Sequence, residues 1–186
     1  MLKAQTNVRA ARYCRFDVVM QGLPMILISE EIEIDCHKAA TMKFARAHGT
    51  LGRTPRYNTA LNIHERISEY AESLASEYVV ANELGIDYDL NYDGFKQFAD
   101  VVTNIEVRWT RWNLGHLIVY PTDRDDDIAI LVCGKSPHYR IAGWIPVKVA
   151  RTNRYKHSSQ DSWWIDQDNL HPLAELYKSS HGLAQA

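Results

Sequence analysis

Asp100, Glu106 and Arg108 stand close together in the stretch Phe98–Thr110, the last two flanking a single valine in Ile105-Glu106-Val107-Arg108. The run reads as a β-strand, in which alternate side chains share a face. Ile105, Val107 and Trp109 then point into a core, while Glu106, Arg108 and Thr110 share the other surface. Asp100 lies within a short bend's reach of Glu106. Two carboxylates and the Val107 carbonyl, completed by waters, suit a hard divalent cation such as Mg²⁺, with Mn²⁺ as its substitute. A cation so held lowers the pKa of a water and polarises a phosphoryl oxygen. Arg108 stays protonated near neutral pH, so its role is to stabilise phosphate charge or position a nucleophile, and it is no general base. Surface strands also carry such charged pairs at little energetic consequence, and on the strand alone that solvated pair is the simpler account.

A further carboxylate comes from a helix. Residues from about Ile63 to Leu84 place Ile67, Ala71, Leu74, Tyr78 and Ala81 on one stripe, and Gly85 ends the run. Advancing roughly 100° per residue from Ile67 puts Glu65, Glu69, Glu72 and Glu83 on the opposite, solvated face. Glu77 instead falls on the flank of the apolar stripe, between Tyr70 and Leu84. It either snorkels past the core or closes the site through a metal-bound water.

Other elements must hold these residues in place. Ser29 followed by Glu30-Glu31-Ile32-Glu33 predicts a helix start, with Lys43, Arg46 and His48 near the end and Gly49 as the stop. The segment 49–62 is a polar loop carrying Arg53 and Arg56. It contains glycines but no Gly-Lys-Ser or Gly-Lys-Thr, so it is not a phosphate-binding loop. After Gly85 come short β-type runs: Asn104–Thr110, Gly115–Pro121, Asp127–Gly134 and Tyr139–Val147, then Ser162–Asp166. Their short connections predict an antiparallel meander. The acidic run Asp123–Asp127 lacks EF-hand spacing and reads as a tight solvated loop. Residues 25–178 form one domain, 1–24 an arm of uncertain structure and 179–186 a disordered tail.

The 186 residues are 46% hydrophobic, enough for a sizeable core, and carry a net charge of -2. Nucleic-acid binding would therefore need segregated cations. Arg140, Lys148, Arg151, Arg154 and Lys156, interleaved with Tyr139, Trp144, Tyr155, Trp163 and Trp164, are the candidates. Of these aromatics, Trp144 suits the core better than a stacking role. His138 and His157 are candidates for phosphate contact, whereas His37 and His64 read as surface residues. Cys14, Cys36 and Cys133 form no CxxC pair and fit a reducing cytoplasm. No apolar run approaches the roughly 18 to 20 residues of a membrane span.

Helix-borne Glu77, Asp100 and the strand pair Glu106-x-Arg108 resemble the pattern of the PD-(D/E)xK nuclease superfamily, the restriction-endonuclease-like fold. From Ser29 to Leu176 the chain is also similar to a group of phage and prophage proteins regarded as nuclease-like, through Glu106-Val107-Arg108, Leu117–Asp127, Tyr139–Ile145 and Leu170–Leu173. Arg108 stands where the superfamily usually has lysine, and no proline precedes Asp100. The resemblance implies an α+β fold with a mixed, mostly antiparallel sheet flanked by helices. It implies a Mg²⁺-dependent deoxyribonuclease, in phage DNA processing or degradation, with DNA as partner and homodimers common. Asp100, Glu106 and Val107 would hold the metal, with Glu77 and Arg108 completing the catalytic set. A binding or accessory protein that kept the fold and lost the chemistry is the alternative that Arg108 favours.

Overall fold

The computed structural model describes residues 24–46, 61–91, 99–101, 104–176 and 178. The arm up to residue 23 with Cys14, the segment holding His48, Gly49, Arg53 and Arg56, and the tail 179–186 lie outside the described residues. Helix α1 spans Glu30–Arg46 and α2 spans Ile63–Glu83. Ser29 Oγ accepts the Ile32 N–H at the head of α1 at 3.4 Å. A reciprocal capping box starts α2: Asn62 Oδ1 accepts the Glu65 N–H, and Glu65 Oε2 accepts the Asn62 N–H. At its other end Gly85 adopts φ +68°, and the N–H groups of Gly85 and Ile86 return to the carbonyls of Asn82 and Ala81. This left-handed closure favours glycine, and it turns the following chain back over α2.

Strands β1 (Ile26–Leu27), β2 (Ile105–Thr110), β4 (Ile128–Lys135) and β5 (His138–Pro146) form a sheet of order β1-β5-β4-β2. The pairs β1–β5 and β4–β5 are antiparallel, whereas β2 and β4 are parallel. Between them, β3 (Leu117–Val119) leaves the sheet and pairs antiparallel with β6 (Trp163–Ile165) as a separate ribbon. The chain is thus α+β with a mixed sheet flanked by helices. The expected continuous meander is corrected at β3. By crossing to another layer, the chain re-enters the sheet in the direction of β2, as parallel pairing requires.

The two sheet faces bury different partners. Ile105, Val107, Ile128, Ile130 and Val132 join the core with α1 and α2. Ala129, Leu131, Cys133, Ala142 and Ile145 join a second core with Leu117, Val119 and Ile165 of the ribbon and with α3 (Val147–Ala150). Central β4 is consequently buried on both faces and reads as an unbroken apolar run. Trp144 is buried, as expected, its indole N–H donating to the Pro172 carbonyl at 3.0 Å just before α4 (Leu173–Leu176). Among the described residues no helix is long and apolar enough to cross a membrane.

The apolar stripe of α2 is buried at Ala71, Leu74 and Ala81, but Glu72, Ser76, Val79 and Val80 are buried too. The helix lies between α1 and the sheet. That corrects the placement of Glu72 on a solvated face: it is only 8% exposed. Its Oε2 accepts the Tyr139 hydroxyl at 2.6 Å and the Ser136 N–H at 3.1 Å, fastening the β4–β5 turn to the helix.

Candidate functional site

Strand β2 is an edge of the sheet, with β4 on one side only. Its other edge meets the chain that precedes it. Val101 and Ile105 exchange backbone hydrogen bonds at 3.0 and 3.2 Å, which folds Asp100 back beside the strand. There Asp100 Oδ2 accepts the Val107 N–H at 2.9 Å. In a strand the carbonyl of a residue lies on the same edge as its N–H, so the Val107 carbonyl also faces this side.

The charged pair on β2 finds its partners in the second layer. Glu106 and Arg108 point toward the ribbon and pair with each other. Arg108 also pairs with Asp123 at 2.9 Å, donates from Nε to the Ile118 carbonyl at 3.2 Å, and lies 5.6 Å from the centre of the Tyr120 ring. Burial opposes its charge, but Glu106, Asp123 and Asp100 outweigh that and raise its pKa. Asp123 in turn accepts the Tyr120 N–H at 2.8 Å.

Glu77 approaches Asp100 from the α2 side of the sheet. Its carboxylate accepts the hydroxyl of Tyr88, delivered by the turn at Gly85, and that of Ser73 at 3.4 Å. Burial, and next the charge of Asp100, push Glu77 up to about 8. Burial likewise raises Glu106 to about 7, with Arg108 opposing and Asp100 and Asp123 adding to the rise. Asp100 is raised as well, by burial first, against the lowering effects of the Val107 N–H and Arg108. Asp100 is the link between them: after burial, its charge raises both Glu77 and Glu106, and Asp123 adds to the rise at Glu106 and at Asp100.

These oxygens fit a hard divalent cation in donor type and in charge, since the four carboxylates outnumber the guanidinium of Arg108 beside them. As they stand, no three His, Cys, Asp or Glu side chains among the described residues are arranged to hold an ion. One oxygen of Asp100 is turned to the Val107 N–H, and Glu106 is turned to Arg108.

Nothing in the sequence separates Asp123 from the rest of its acidic run. That run is not simply a solvated loop, which corrects the expectation. Asp127 is buried and takes both Nε and Nη2 of Arg124, at 2.9 and 2.7 Å, and Asp125 pairs with Arg151 at 2.7 Å. The signal was the arginine inside the run, together with Arg151 downstream.

The candidate nucleic-acid cations differ in burial and in partners, although Arg151 and Lys156 both lie against the Trp163 ring. Arg140 is 3% exposed and hydrogen-bonded to the Asn113 carbonyl and Gln167, so it is corrected from a direct surface contact to a buried residue. Arg151 binds Asp125 and the carbonyls of Tyr120 and Asp123, which makes it a clamp on the acidic loop rather than a free cation. Lys148 is exposed on α3. Arg154 is exposed and bonded to Asn169, while Lys156 pairs with Asp161 and lies 4.0 Å from the centre of the Trp163 ring. His157 packs against Trp164 at 4.6 Å. His37 and His64 are exposed, and so is His138 at the start of β5.

No protein-family model, no curated protein and no solved structure matches the chain.

Proposed function

We propose that this protein is a metal-dependent nuclease with a restriction-endonuclease-like core, hydrolysing phosphodiester bonds in DNA. The observation that supports it is Asp100 folded against the outer edge of β2, with the charges of Glu77 and Glu106 both coupled to it and all three carboxyl pKa values raised. Asp100, Glu106 and the Val107 carbonyl would hold Mg²⁺ or Mn²⁺, with Glu77 reaching it through a water. The bound ion supplies an activated water and neutralises charge on the phosphoryl oxygens. Glu106 must first turn away from Arg108. Arg108, still held by Asp123 and the Ile118 carbonyl, would then place a fixed positive charge beside the scissile phosphate and favour the more negative transition state. Phage DNA processing or degradation in a host cytoplasm is the setting that the sequence resemblance supports.

A second reading has its own observation. Arg108 is held at once by Glu106, Asp123 and the Ile118 carbonyl, which is how a purely structural clip between sheet and ribbon would be built. On that reading the protein binds nucleic acid without cutting it. The two are separated by incubating supercoiled plasmid and single-stranded DNA with the protein in Mg²⁺, Mn²⁺ or EDTA, beside Glu106→Ala and Asp100→Asn. The nuclease reading expects metal-dependent cleavage, lowered at least about 100-fold in both variants. DNA binding without cleavage in any metal would instead select the accessory protein.

A further inference from the structure

Strand β2 runs out into the segment Arg111–His116, which carries the two most exposed large apolar side chains among the described residues. Trp112 is 70% exposed and Leu114 71%. A mobile loop could fold such groups down, but the backbone here is pinned from several sides. The Asn113 carbonyl accepts from Arg140 Nη2 at 2.7 Å and from Gln167 Nε2 at 2.8 Å. Gln167 Nε2 also donates to the Gly115 carbonyl at 2.9 Å, and the Gly115 N–H donates to the Trp112 carbonyl at 3.0 Å. Arg111 pairs with Glu69 of α2. Gly115 lies so close to Thr110 that a Cβ there would come within 2.5 Å of its methyl group. The ordering entropy of this loop is already spent on folding, which favours a rigid contact surface.

A second observation concerns charge. Arg140 lies buried beneath the loop, and its hydrogen-bond partners are neutral: the Asn113 carbonyl and Gln167 Oε1 at 2.9 Å. Among the described residues no carboxylate pairs with it; the two at the loop, Glu69 and Asp166, pair instead with Arg111 and His116. A buried cation without a counter-charge is costly and projects a positive potential through its low-dielectric surroundings. An anion above the loop would relieve that cost.

We infer that the loop 111–116 is a preformed platform for single-stranded nucleic acid, on which an unpaired base stacks against Trp112 while the charge of Arg140 draws the backbone phosphate. Single strands offer a free π-face next to a phosphate, whereas a duplex keeps its base faces stacked on each other. An apolar protein surface would suit Trp112 and Leu114 but would leave Arg140 uncompensated. Trp112 is four residues beyond Arg108 and six beyond Glu106, so at strand rise its Cα lies at most about 14 Å from the one and about 20 Å from the other. A strand gripped there would reach that site within a few nucleotides. The inference rests on the nucleic-acid part of the proposed function and not on cleavage.

The test is fluorescence anisotropy in EDTA with a labelled thymidine oligonucleotide of about 20 residues and a duplex of equal length. Wild type, Trp112→Ala and Trp112→Phe are compared, with melting temperatures as a check that the fold is intact. The platform predicts tighter binding of the single strand, weakened about 5- to 100-fold by Trp112→Ala and largely kept by Trp112→Phe. Equal affinity of wild type and Trp112→Ala overturns it, even where wild type cleaves DNA in Mg²⁺ and the nuclease reading stands. Trp112-dependent binding without cleavage in any metal upholds the platform and removes the nuclease reading. Self-association of wild type lost in Trp112→Ala, with no oligonucleotide bound, assigns the loop to protein contact and overturns the inference.

Discussion

Glu77 combines a position on the flank of an apolar helix stripe with a proton held to an unusually high pH. Its pKa of about 8 and the value of about 7 for Glu106 both lie above the ordinary glutamate value. The folded protein therefore keeps protons that the unfolded chain has lost, and stability falls as pH rises. The favourable contribution is complete below about 4.5 and is lost as pH passes through about 8 for Glu77. Thermal melts in EDTA from pH 5 to 9 should show a declining melting temperature in wild type and a flatter profile in Glu77→Gln. Identical slopes in the two proteins would show that Glu77 does not titrate in this range. The buried thiols are no part of this chemistry: burial pushes Cys36 up to about 12 and Cys133 up to about 11, where neither is a nucleophile at neutral pH.

At the scale of elements, α2 serves two layers, and its second contact is polar. Glu72 receives the Tyr139 hydroxyl and the Ser136 N–H, while Glu33 of α1 receives the Ser136 hydroxyl. The β4–β5 turn is thereby tied to both helices. Glu72→Ala removes the acceptor of the buried Tyr139 hydroxyl and of the half-buried Ser136 N–H, and should cost about 1–3 kcal/mol of unfolding free energy, chiefly from the hydroxyl. Glu72→Gln keeps an acceptor oxygen and should lose less. Urea titration measures both, and a loss below about 0.5 kcal/mol for Glu72→Ala would mean that water replaces the carboxylate. A helical wheel puts Glu72 among the solvated acids because it knows only one buried face. The helix has two, and a single-stripe pattern carries no information about the second.

At the scale of the whole molecule, the ribbon β3–β6 docks on the sheet through Leu117, Val119 and Ile165 and is clipped to β2 by Arg108. Arg108→Ala should free the ribbon more than the sheet. Hydrogen exchange is expected to rise at Leu117–Val119 and Trp163–Ile165, with β4 and β5 unchanged. Uniform loosening would mean that the two layers unfold as one unit and that the clip has no local role. Arg151 makes an analogous tie on the acidic loop, so the layer that carries Asp123 is held at both ends of that loop.

Local order is where the sequence speaks most directly. Ser29 and Gly85 mark helix limits in the sequence within a residue or two, and the Asn62–Glu65 box that the structure adds is local as well, because caps and a left-handed closure depend on side chains at fixed local offsets. Alternation in Ile105–Thr110 is enough to give the faces of β2, and the departure of Glu77 from its stripe is a local fact as well. The tertiary structure alone decides what those faces meet. It sends β3 to another layer, makes β2 and β4 parallel, brings Asp123 against Arg108, and buries Glu72 and Arg140. Each of these depends on chain segments distant in sequence, and hydrophobic burial, which is non-directional, leaves no mark of which segments will be neighbours.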